Sequence, residues 1–336
     1  MRLRRGHWIL AACLAATLAV PLYGDVFFIR LATRVLIFGI LAASLNLLVG
    51  YGGLVSFGHA AFVGLGAYAT AILTHHGVTS GLLVWPAAVA VAAAGALIIG
   101  VITLRTTGVY FIMITLAFAQ MLFYLAVGME RYGGDDGLRM ATRNTFPGIV
   151  DASHPTAFFF LVAVIFLVLL YGIGRLVESH FGRVLRGIKD NERRMQSVGF
   201  DTFRYKLAAF VLSGAIAGLG GALNANLNAH VSPAMLHWVL SGDLLVMLIL
   251  GGVGTVAGPA LGAAAFILLE EVLSNFTKHW MVILGPLMLI IILFHKGGLL
   301  ALLMGREDRA AGRAENRTEG RTEGRTEGRT EARRDG

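Results

Sequence analysis

Polar side chains set in long apolar runs are where this sequence could do chemistry. Asn46, Ser56, His59, Gln120, Asn224, Asn226 and Asn228 stand inside segments that otherwise hold few hydrogen-bonding groups. Such residues are expensive in a bilayer and turn toward the interior of a helix bundle, where they bond another helix or line a passage for a polar solute. Ser56 and His59 are three residues apart, which on a helix would let a hydroxyl face an imidazole as a nucleophile faces its base. No third orienting group accompanies them. No HExxH, CxxC or GxSxG occurs, and Lys189, Lys206, Lys278 and Lys296 are followed by Asp, Leu, His and Gly, so there is no GxxxxGK[ST] loop. The chain reads as non-enzymatic, without a bound cofactor, and any ATP it depends on must be bound by another subunit. Cys13 is the single cysteine, which excludes an internal disulfide or a cysteine metal site. The adjacent His75 and His76 fall in a short outer loop and make no metal motif.

The elements that must position these residues are transmembrane. Of 336 residues, 56% are hydrophobic and 14% charged, with a mean hydropathy of +0.72. That is an all-α polytopic membrane protein. The formal charge of +8 comes from basic residues between apolar runs, where they orient spans, and implies no nucleic acid. The segment 46–71, NLLVGYGGLVSFGHAAFVGLGAYATA, is broken by Gly50, Gly52, Gly53, Gly58, Gly64 and Gly66. Each glycine weakens a helix by roughly 0.5–1 kcal/mol relative to alanine. Freed backbone groups survive in a bilayer only inside protein or along a cavity, and small residues let helices approach closely. This segment is therefore either a packing seam or the wall of a path.

Ten spans are expected: 8–23, 26–50, 54–73, 82–104, 108–127, 157–177, 207–229, two short passes within 242–273, and 280–293. A cleaved signal peptide is the competing reading of the first. The run 242–273 would be about 48 Å long as one helix, too long for a hydrocarbon core of about 30 Å. It contains GGVGTVAGP at 251–259, a turn signal that divides it. Segment 178–206 carries Arg183, Arg186, Lys189, Arg193, Arg194, Arg204 and Lys206 against four acids, which makes it cytoplasmic and puts both termini inside. Arg30 and Arg34 dissent from that rule, near the outer end of the second span. They either snorkel outward or face the bundle. Glu270 and Glu271 are expected at the outer end of the ninth pass. In 178–206, Val184, Leu185, Ile188, Met195 and Val198 recur at roughly helical spacing among charges. This predicts short amphipathic helices under the membrane, seated either in a partner protein or on anionic lipid.

Two further patterns concern organisation. Residues 305–336 contain RTEG at 317–320, 321–324 and 325–328 and RTEA at 329–332, with nine arginines against eight acids. This is a solvated tail, expected to be disordered, after a transmembrane domain at 1–304. LLVGYGGLVSFGHAAFVGLGAY at 47–68 echoes LILGGVGTVAGPALGAAAF at 248–266. Broken helices in repeated positions are typical of transporters.

Several segments in order resemble the M-type permease subunit of branched-chain amino acid ABC importers, the high-affinity leucine/isoleucine/valine family. They are 46–71, LRTTGVYFIMITLAFAQM at 104–121, GGDDGL at 133–138, SHFGRVLRGIKDNERRMQSVGFDTFRYKLAAFVLSGAIAGLGGAL at 179–223, and SGDLLVMLILGGVGTVAGPALGAAAF at 241–266. The resemblance runs from about residue 46 to 300. It implies a bacterial inner-membrane permease that pairs with an H-type permease, two cytoplasmic ATPase subunits that bind ATP, and a periplasmic substrate-binding protein. The urea-importer permease is a close relative, so urea or a short-chain amide is the alternative cargo; an ion-coupled secondary transporter is more distant. The expected pathway residues are Asn46, Ser56, Gly58, His59, Gln120, Asn224 and Asn228. The expected ATPase-coupling residues are Arg186, Ile188, Lys189, Asp190, Glu192 and Gly199. The family's cytoplasmic loop commonly has a small-residue pair before its glycine; this chain has the run 192–199, ERRMQSVG, instead.

Overall fold

The computed structural model describes residues 25–146 and 154–276, with 279, 282–283 and 285–286 beside them. The expected first span, most of the tenth and the RTEG tail lie outside the described residues. Within them are nine α-helices: α1 Val26–Asn46, α2 His59–His75, α3 Gly81–Thr103, α4 Val109–Val127, α5 Pro155–Glu178, α6 His180–Ser197, α7 Thr202–Asn228, α8 Trp238–Gly251 and α9 Gly258–Phe276. Six of the described helices are long and apolar enough to cross a membrane, and α8 is a shorter apolar helix. The architecture is mostly helical and polytopic, as the composition requires. The ten expected passes are therefore matched among the described residues by six spanning helices and the shorter α8.

Helix boundaries follow from local chemistry. The Asp25 side chain accepts from Phe27 N at 3.0 Å and caps α1. Asp201 does the same for α7 through Arg204 N at 3.2 Å. Pro155 opens α5 at a position where its missing N–H costs nothing. The run 242–273 is divided as its glycines demand, with the break at residues 252–257. The third span starts later than its hydropathy suggests, at His59 rather than 54, because residues 52–58 are not helical.

Helix α7 is the centre of the bundle, packed by α1, α2 and α3. Gly214, Gly218 and Gly221 lie along one face of it. A Cβ on Gly66 of α2 would land on the Gly218 carbonyl, and one on Gly221 would land on the Val63 carbonyl. The two helices therefore touch backbone to backbone, which only small residues allow. The polar segment after α4 forms a two-residue strand, β1 (Leu138–Arg139), antiparallel to β2 (His230–Val231) after α7. Arg34 of α1 faces the bundle, where its Nη2 donates to both carboxylate oxygens of Glu270 on α9, at 2.9 and 3.0 Å. This decides between the two readings of Arg34.

Candidate functional site

The glycine break is a re-entrant segment. After α1, a π-helical turn (Leu47–Tyr51) ends beside α6, and residues 52–58 climb back into the bundle. His59, the first residue of α2, bonds Ser44, seven residues or about 10 Å of helix before Tyr51. The Ser44 hydroxyl donates to Leu41 O at 2.7 Å, so at the 2.7 Å contact with His59 it accepts, and Nε2 carries the imidazole proton. His59 Nδ1 is then an acceptor, and it has no partner among the described residues. The Ser213 hydroxyl on α7 donates to Ser44 O at 2.6 Å, and Ala60 N donates to Ser241 Oγ at 2.8 Å. Ser56 does not meet His59; its hydroxyl accepts from Gly58 N at 3.2 Å. His59 and Ser44 are both 0% exposed, and the serine proton is committed to Leu41.

Gly58 is a seam residue. A Cβ there would stand 2.6 Å from the Thr115 carbonyl of α4. The re-entrant segment meets the start of α8, which follows a connection (residues 229–237) holding β2 and a short 3₁₀ turn, Pro233–Leu236. The rings of Phe57 and Trp238, one from each, lie 6.4 Å apart. Gln120 of α4 has a buried Oε1 without a partner among the described residues.

The other amides are not gathered there. Asn228 Nδ2 donates to Asn224 Oδ1 at 2.9 Å, one turn apart at the C-terminal end of α7. Asn226 and Asn144 form a buried knot: Asn144 N donates to Asn226 Oδ1 at 2.9 Å, and Asn226 Nδ2 donates to Asn144 Oδ1 at 2.8 Å. Asn144 Nδ2 also reaches Thr74 Oγ1 at 3.0 Å, and Trp85 Nε1 reaches Asn144 Oδ1 at 3.3 Å. This knot pins the outer loop to α2, α3 and α7. Asn46 lies elsewhere, as the last residue of α1. Sequence reasoning missed Ser44, Ser213, Ser241 and Asn144. Serines in an apolar run show no periodic signal, and Asn144 lies in a segment that reads simply as loop.

The expected coupling residues all lie on or beside α6, which is two helical pieces broken at Asn191 (φ −158°, ψ 97°). Val184, Leu185 and Ile188 are buried against the bundle, Ile188 being 4% exposed. The expectation that Ile188 enters a partner's cleft is therefore corrected: the chain's own helices already occupy its apolar stripe. Arg186 Nη2 donates to Val177 O at 2.7 Å and holds the α5–α6 corner. Lys189 Nζ donates to Gly50 O at 2.8 Å. Glu192 receives the Lys206 ammonium at 2.6 Å and the Thr202 hydroxyl at 3.0 Å, which ties the second piece to α7. Gly199, at φ +95°, ends α6: Phe200 N donates to Met195 O and Gly199 N to Gln196 O, a Schellman pattern that needs a left-handed residue. Asp190, Arg193 and Arg194 are exposed, and so is Val198, at 68%.

Residues 27–293 match the family model described as the branched-chain amino acid transport system permease component. Two relatives named high-affinity branched-chain amino acid transport system permease protein LivM, from Salmonella typhimurium and Escherichia coli, are each 31% identical over 317 residues, covering 87% of this chain and 74% of theirs. A probable LivM from Methanocaldococcus jannaschii is 27% identical over 154 residues, 41% of this chain and 44% of its own. No solved structure matches the chain significantly. A polytopic helical bundle with a glycine-broken re-entrant segment, matched over residues 27–293, belongs to the family of branched-chain amino acid transport system permease components, and the chain is a transport subunit.

Proposed function

We propose that this chain is one permease subunit of an ATP-driven importer for branched-chain amino acids in the bacterial inner membrane, with both termini cytoplasmic. The observation that carries this reading is the family match across residues 27–293. The geometry supports it in two places. Inside the bundle His59 Nδ1, and on α4 Gln120 Oε1, are buried acceptors without partners among the described residues, and a passing ammonium group supplies donors. The path runs beside residues 52–58, with Ser56, Gly58, His59 and Gln120 near it and Asn224 and Asn228 toward its outer end. At the cytoplasmic face, the charged side of α6, with Asp190, Arg193, Arg194 and Val198, docks on an ATPase subunit. ATP is bound there, on two partner ATPases, and a second H-type permease and a periplasmic binding protein complete the assembly. Membrane lipid surrounds the rest.

The test is reconstitution of the whole assembly in proteoliposomes with labelled leucine, isoleucine, valine and urea. ATP-dependent uptake of the three amino acids is the expected result. Uptake of urea or a short-chain amide alone would replace the cargo. Uptake driven by an ion gradient without ATP would sink the reading.

A further inference from the structure

Three ties converge on the cytoplasmic end of α1. The Asn46 carboxamide, 1% exposed, is used at both ends: Oδ1 accepts from Gly254 N at 2.9 Å, and Nδ2 donates to Thr255 O at 2.7 Å. A side chain thus supplies the donor and acceptor that a neighbouring backbone would, and fastens the α8–α9 turn to α1. The π-helical segment Leu47–Tyr51 follows directly. Such segments are rare and concentrate at functional sites. The Gly50 carbonyl within it receives the Lys189 ammonium of α6 at 2.8 Å.

Glycine is required at this joint for steric reasons. A Cβ on Gly50 would strike Asn46 Oδ1 and stand 2.7 Å from Gly254 N. Gly53, at φ +68°, lies under the Lys189 stem, where a Cβ would be 2.9 Å from Cγ. The two glycine clusters that echo one another in the sequence are therefore two halves of one contact. One half follows α1 and the other is the α8–α9 turn, and Lys189 of α6 reaches the first.

We propose that Asn46 and Lys189 are the positioning residues of a cytoplasmic latch. Asn46 holds the inner ends of α1 and of the α8–α9 turn together, and Lys189 ties α6 to the same segment. A shift of α6 against the bundle pulls on the Gly50 carbonyl and parts the two turns. This rests on the reading of α6 as the ATPase-coupling element. The two ties suit different tasks. The Asn46 pair is buried, so breaking it without a replacement partner is costly and the joint is either made or open. The Lys189 bond is charge-assisted and held on a flexible four-carbon stem, so it follows α6 and transmits its movement.

The test uses the complete transporter in proteoliposomes and measures solute taken up per ATP hydrolysed in Asn46→Ala, Lys189→Met, Lys189→Arg and the Asn46→Ala/Lys189→Met double variant. The latch predicts that the ATPases co-purify with every variant and that the ratio falls about tenfold in Asn46→Ala and in Lys189→Met. Lys189→Arg recovers most of it. The double variant is no worse than the poorer single one, because both residues serve one device. An unchanged ratio in Lys189→Met, with the complex intact, overturns the latch and leaves the coupling role of α6 standing. Loss of the ATPases from Lys189→Met also overturns it, by placing Lys189 on the docking face. Should Asn46→Ala fail to fold, Lys189→Met, on an exposed position of α6, still decides. The coupling reading itself fails separately if reversing Arg193 and Arg194 to Glu leaves the ATPases bound and their stimulation by loaded binding protein intact.

Discussion

Gly58 shows how much one missing side chain does. It precedes α2 with its α-carbon facing the Thr115 carbonyl, and a Cβ at 2.6 Å from that oxygen has no room to move because both atoms belong to the backbone. Gly58→Ala already requires a shift between α2 and α4. Gly58→Leu adds the overpacking penalty of about 1–3 kcal/mol. Its effect falls on the stretch where Phe57 meets Trp238. Gly58→Leu is expected to insert but to lose most uptake, with a lower melting temperature in detergent. Normal uptake by an inserted Gly58→Leu protein would show that the contact is neither seam nor path wall. The same geometry explains why Ser56 and His59 do not pair. Residues 52–58 are not helical, so a spacing of three does not put them on one face, and His59 turns to Ser44 instead.

At the level of the element, α6 is the piece whose two sides do different work. Its apolar stripe seats it on α5, α7 and the π-helical segment, while its charges and Val198 are left to solvent or a partner. Ile188→Asp would bury a carboxylate against the bundle at a cost of several kcal/mol. The expected outcome is loss of ATPase stimulation by loaded binding protein, with α6 unseated, while the permease still inserts. Val198→Asp acts on the other side and should weaken co-purification of the ATPases without disturbing the seat. Unchanged stimulation in Ile188→Asp would mean that α6 transmits nothing. Retained ATPase binding in Val198→Asp would remove Val198 from the docking face.

For the whole molecule, the alternation of helices from α1 to α9 sets which loops share a side. In a chain with Cys13 replaced, a cysteine at Asp135, exposed in the loop after α4, should react with an impermeant reagent from outside. One at Ser197, exposed after the break in α6, should be protected in intact cells. Asp135 is the better probe than its neighbour Gly134, which is buried at φ +52°. Labelling of Ser197→Cys from outside would invert the orientation. Deleting residues 309–336 is expected to leave assembly and uptake intact, since nine arginines and eight acids across 305–336 nearly cancel and leave no apolar surface to bury. Dissociation of the ATPases from the truncated protein would give the tail a role.

Most of the fold was legible in the residues alone. The expected runs 82–104, 108–127, 157–177 and 207–229 became α3, α4, α5 and α7 within a few positions, because hydropathy acts over a whole helix and tolerates local error. The division of 242–273 was also legible, since a run of glycines followed by Pro259 cannot continue a helix. The sequence alone likewise put the charges of α6 on a helix. Only the tertiary structure decided what each polar residue touches. Asn46 reads as a pathway amide until Gly254, 208 positions away, is placed against it. Ile188 reads as a partner contact until the bundle is seen to cover it, and Arg34 stays ambiguous until Glu270 arrives from α9. The reason is common to all three. Periodicity tells which side of a helix is apolar, whereas hydrogen bonds and ion pairs are made between segments whose separation in the chain carries no information about their distance in space.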